Sequence, residues 1–194
     1  RTGAAAVYAT PEATTPSWTF DDPIASGGPL VFLIDELTVE DRQRVLLPVR
    51  PNGSFGWIDT DAVDIEWHNY AIVVELSDFR FTLFDHGEPA FTTVVGVARD
   101  NAPTPDGIYY TTELLRPPTP DSAYGTYAYG LSGYSETFEE FAGGPGQLGI
   151  HGTNDPATLG TAVSSGCIRM SNDDISFLVE SIGLPVGVPV EVRA

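Results

Sequence analysis

The chain has 194 residues, 42% of them hydrophobic, and a formal net charge of −18; that length holds one ordinary domain, or a small one beside a medium one, with enough apolar residues for a proper core. The acidity excludes a nucleic-acid binder, which needs clustered Arg and Lys to displace counterions, and a basic membrane-surface patch; we read it as solubilising. No apolar run reaches the roughly 18 residues of a spanning helix, and a single cysteine allows no intrachain disulfide.

Twenty Gly and sixteen Pro among short apolar runs point to a turn-rich, mainly β protein. Residues 1–27 are rich in Ala, Thr, Pro, Ser and Asp without an apolar period, and are expected to form a flexible stalk. The first residue is Arg1, which fits a processed chain that has lost a leader or anchor. Strands are expected over 30–34, 42–49, 55–58 and 63–67, with a turn at Pro51-Asn52-Gly53-Ser54, where Asn-Gly readily takes positive φ. Further strands are expected over 71–76, 79–84, 91–97 and 108–112. Residues 113–146 carry no long period and hold Tyr124, Tyr127 and Tyr129. A long irregular segment of this kind is functional or mobile. One helix stands out. Ser171 or Asn172 caps it, Asp173 and Asp174 favour its positive end, Ile175, Leu178, Val179 and Ile182 form one apolar face, and Gly183 ends it.

The lone cysteine, Cys167, lies in the run Ser164-Ser165-Gly166-Cys167-Ile168-Arg169-Met170, sixteen residues after His151 in Ile150-His151-Gly152-Thr153. A thiol flanked by glycine, with a glycine-flanked His nearby, suggests a nucleophile and its base, because the thiolate is the attacking form. A buried inert Cys is the alternative. Arg169, two residues on, shares a face with Cys167 if the stretch is extended; it serves either a substrate carboxylate or a salt bridge to Asp173 or Asp174. Three scattered His and one Cys make no zinc set, and no dinucleotide or phosphate loop occurs. A papain-like order would place Cys before His, and here His comes first.

These runs, together with residues 71–76, 81–87, Pro103-Thr104-Pro105-Asp106-Gly107 and residues 187–192, resemble the L,D-transpeptidase catalytic domain of the YkuD type, from about His68 to the C-terminus. Many members carry His where this chain has Ser165. The Gly-Trp-Ile run at residues 56–58 resembles a small bacterial Src-homology-type β-barrel. The organisation implied is a stalk (1–27), a small β-barrel-like module (28–67) that binds cell wall or braces its neighbour, and a β-sandwich-like catalytic domain (68–194).

The resemblance implies an extracytoplasmic cysteine acyltransferase acting on peptidoglycan stem peptides, without cofactor or metal. Cys167 is the expected nucleophile and His151 the base, its ring oriented by the Gly152 carbonyl. Backbone around Ser165, Gly166 and Cys167 is expected to form the oxyanion hole. Arg169, Tyr127 and Tyr134 are the expected substrate contacts, with Tyr129 considered beside them. The acyl-enzyme would form on the L-centred carbonyl of a tetrapeptide, release D-Ala, and pass to a side-chain amine as a 3→3 cross-link. Carbapenems are expected to acylate Cys167, and the thiol to react well below the pH of a free one. An L,D-carboxypeptidase or a protein-anchoring enzyme would share this acyl-enzyme, while a non-catalytic wall-binding protein would lack it.

Overall fold

The structure is a computed structural model and describes residues 3–141 and 143–194. Two sheets dominate. The first takes β1 (Gly3–Tyr8), β2 (Trp18–Asp22), β3 (Leu33–Val39), β4 (Arg42–Leu46) and β5 (Phe55–Asp59) in the order β2-β1-β5-β4-β3. It is antiparallel throughout. Val7, Val45, Leu47 and Ile58 form its small core.

The expected stalk is therefore part of this sheet. Ala5, Val7, Trp18 and Phe20 supply apolar contacts to its core, and the β1–β2 ladder satisfies backbone groups that a stalk would leave to water. Arg1 and Thr2 lie outside the described residues. The alternation of Val63, Ile65 and Trp67 does not make a strand: residues 63–69 run without a ladder, and Trp67 is 88% exposed.

The second sheet contains β6 (Tyr70–Glu75), β7 (Arg80–Asp85), β8 (Glu88–Val94), β10 (Gly107–Leu115), β11 (Ala128–Tyr134), β12 (Gln147–His151), β14 (Ile168–Arg169) and β15 (Pro189–Arg193). Its order is β14-β12-β11-β10-β15-β6-β7-β8, and β9 (Val97–Ala98) pairs separately with β13 (Ala162–Ser164). Alternate residues face a second core that includes Ile72, Val74, Phe81, Leu83, Leu148, Ile150, Ile168, Val190 and Val192, as a period of two requires.

The helix covers this core. Ser171 is its cap, with Oγ accepting from the Asp174 N–H. After α1 (Asn172–Ser176) the chain widens into a π turn over Phe177–Ile182, in which the Gly183 N–H reaches Leu178 O. Gly183 closes it at φ 71°, and Ile175 and Leu178 are its buried contacts.

Tyr134 joins the two sheets. Its N–H and C=O pair with the Asn52 amide, both at 2.8 Å, and its hydroxyl donates to Pro48 O at 2.9 Å. Arg50 lies over its ring and donates to the carbonyls of Ser135, Phe138 and Pro145. The Asn-Gly turn thus docks the first sheet onto the second. Asn52→Ala leaves two backbone groups at the joint without partners and should lower unfolding free energy by about 1–3 kcal/mol in urea titrations.

Candidate active site

The site is built by parallel pairing of β12 with β14, where Ile150 stands beside Ile168 and His151 beside Arg169. Ile150 and Ile168 point into the core. Gly149 and His151 therefore point to the opposite face, and so do Cys167 and Arg169. In this register Cys167 stands beside Gly149, one pleat from His151, so the two Cα atoms are about 8 Å apart from strand spacing and rise alone.

The strand end leads into Gly152, and His151 Nδ1 lies 2.6 Å from Gly152 O. A carbonyl can only accept, so Nδ1 carries the hydrogen and Nε2 keeps its lone pair. His151 is 4% exposed. Burial, with Arg169 adding a smaller push and Gly152 O opposing, drives its pKa down to about 4. Burial also raises the Cys167 thiol, against the pull of the Gly149 backbone and Arg169. Both groups are consequently uncharged near neutral pH. The expected low-pH reactivity of a resting thiolate is not supported by this environment.

Gly166 adopts φ 126°, a conformation strained for any residue with a Cβ. Its N–H donates to Ser164 Oγ at 3.2 Å, and its carbonyl accepts from Thr104 Oγ1 at 2.8 Å. Because Ser164 takes the Gly166 N–H, that group is not a ready oxyanion donor. Ser165 Oγ accepts from Arg99 Nη2 at 3.3 Å, and Arg99 also donates to Ser164 O. Sequence reasoning gave neither Arg99 nor Thr104 a role; Thr104 lies within the Pro-Thr-Pro-Asp-Gly turn and Arg99 shortly before it.

Arg169 forms no salt bridge with Asp173 or Asp174. Asp174 instead accepts from Thr93 Oγ1 at 2.8 Å, and the buried Arg169 Nε has no hydrogen-bond partner among the described residues.

The tyrosines divide differently from expectation. Tyr134 is the joint between sheets. Tyr127 and Tyr129 are buried in the core; Tyr127 Oη donates to Glu180 and accepts from Arg116, while Tyr129 Oη donates to Leu184 O. The aromatic at the site is Tyr124, whose ring centroid is 4.9 Å from that of His151. Nothing in the spacing of four nearby tyrosines singled it out.

The family model for the L,D-transpeptidase catalytic domain (YkuD) matches residues 69–192, well over half of the chain. The chain belongs to the L,D-transpeptidase catalytic-domain family. It is 32% identical over 123 residues to the L,D-transpeptidase YkuD of Bacillus licheniformis, covering 63% of this chain and 65% of that protein. The Bacillus subtilis YkuD is likewise 32% identical, over 124 residues, with 64% of this chain and 66% of that protein covered. The match thus spans just under two thirds of each relative. L,D-transpeptidase 3 of Mycobacterium tuberculosis shares the fold at TM-score 0.52 and 16% identity, over 86% of this chain and 79% of its own.

The depressed His151 pKa sets a pH dependence of stability. An unfolded His titrates near about 6.5, so as pH falls below that value the unfolded chain takes up the proton first. The stability tied to neutral His151 is present above about pH 6.5 and drains away towards pH 4, by up to about 3 kcal/mol. Urea unfolding near neutrality and at about pH 4.5 should show a larger loss for the native chain than for His151→Gln.

Proposed function

We propose that this L,D-transpeptidase domain acylates Cys167 with the L-centred residue of a tetrapeptide stem and hands the acyl group to an amine. What carries the reading is the parallel pairing that places an imidazole with a free Nε2 on the same face as the only thiol. As Cys167 Sγ attacks the carbonyl carbon, its proton passes to His151 Nε2. The tetrahedral oxyanion develops beside the Cys167 N–H, which the turn at Gly166 leaves as the available loop donor. Collapse breaks the peptide bond, and D-Ala leaves with the proton returned by His151. A side-chain amine of a second stem then attacks the thioester, His151 takes its proton, and Cys167 leaves as thiol, giving the 3→3 cross-link.

Because imidazole and thiol rest uncharged, charge appears only as the bond forms. Oriented dipoles then stabilise it more in the transition state than in the ground state. Arg169, with its unsatisfied buried Nε, supplies a carboxylate site for an acidic stem in an otherwise acidic protein. A cleft of about 350 Å³ is lined by Gln147, Glu113 and Tyr134 and by Phe20 of the first sheet and Ile24 and Leu30 of its β2–β3 connection. We assign that sheet a bracing role, forming the far wall of the cleft, in preference to wall binding. This reading implies action outside the cytoplasm.

Incubation with disaccharide-tetrapeptide, followed by mass spectrometry, should give a cross-linked dimer lacking one D-Ala. Cys167→Ala should give none. Tripeptide alone would identify a carboxypeptidase; no product and no carbapenem adduct would identify a non-catalytic domain. Arg169→Ala should raise KM roughly tenfold with a smaller change in kcat.

A further inference from the structure

The Gly152–Thr153 peptide group is held at both ends. Its carbonyl faces His151 Nδ1 at 2.6 Å. Its N–H, on Thr153, donates to Asn172 Oδ1 at 3.1 Å. A peptide group is planar, so the direction of one end fixes that of the other. Rotation that turned the carbonyl away from His151 would also break the bond to Asn172.

Asn172 is itself fixed. Its Oδ1 accepts a second N–H, from Thr126 at 3.2 Å, and its Nδ2 reaches Pro120 O at 3.4 Å. Two donors converging on one atom assign that atom as oxygen. The close fit explains two glycines: a Cβ on either Gly125 or Gly152 would overlap Asn172 Oδ1. Ser171 already caps the helix, so the Asn172 side chain is not needed there. It ties the helix start to the His-Gly turn and to the segment that carries Tyr124 onto the His151 ring.

Resting on the acyl-transfer reading above, we propose that Asn172 is a positioning residue for the base. It acts through the Gly152–Thr153 peptide to hold His151 in the Nδ1–H tautomer, and through Thr126 and Pro120 to keep Tyr124 over the ring. The pair Cys167–His151 is thereby extended by one peptide group, which does the work that a carboxylate does in other hydrolytic and acyl-transfer sites.

The test compares Asn172→Ala and Asn172→Asp by nitrogen NMR of the histidine side chains and by the rate of Cys167 acylation with a carbapenem. Native His151 should show a protonated Nδ1 and an unprotonated Nε2. Asn172→Ala should give mixed tautomers and acylate at least roughly tenfold more slowly. Asn172→Asp keeps the acceptor oxygen, and should restore the tautomer and bring the rate to within about threefold of native. If the alanine variant fails to fold, Asn172→Ser, whose hydroxyl is too short to serve both N–H groups, takes its place. An unchanged tautomer in the variant lacking the acceptor would overturn the proposal, even if stability fell. The tautomer is read without substrate, so a native protein that never acylates would refute the acyl-transfer reading and leave this test decisive.

Discussion

The site depends on two strands running the same way. β12 and β14 pair in parallel, although antiparallel pairing dominates both sheets. Antiparallel neighbours can be joined by a two-residue turn, whereas parallel neighbours need a longer crossover. Here the segment between His151 and Cys167 makes that crossover, holding a short 3-10 turn (Pro156–Thr158) and the strand β13. The sixteen-residue spacing is thus the length of a connection. It brings two distant residues onto one face while the alternate positions, Ile150 and Ile168, anchor both strands in the core.

Burial does most of the electrostatic work. Taking the imidazole and the thiol out of water penalises their charged forms, so both rest neutral. Positive charge close to them comes from Arg169, whose electrostatic influence reaches both groups. Arg99 is spent along the nucleophile loop, on Ser164 and Ser165. In a chain of net charge −18, these two arginines are a local exception.

Strong periodicities were legible in the sequence. The strands around Ile72 and Phe81 and the helix face of Ile175 and Leu178 followed from apolar spacing. The Cys167–His151 pairing followed from motif. What escaped was long-range. Tyr134 is held by Asn52 and Pro48, more than eighty positions away, so its place at the joint between the sheets could not be read locally. Asn172 reads as a helix cap because its neighbours do; its actual partners, Thr126 and Thr153, belong to other segments. The stalk expectation failed because β1 and β2 draw their order from pairing with each other and with β5, which local composition does not encode. The π turn at Phe177 likewise carried no sequence signal that we recognise.

The central claim is that nucleophile and base rest uncharged and exchange a proton only during acyl transfer. Ultraviolet difference absorbance of the thiolate, native protein against Cys167→Ala across a pH titration, measures this directly. The account predicts no thiolate at neutral pH, with the signal emerging above the range of an ordinary free thiol. A thiolate signal already complete below neutrality would mean a standing ion pair, and would contradict it.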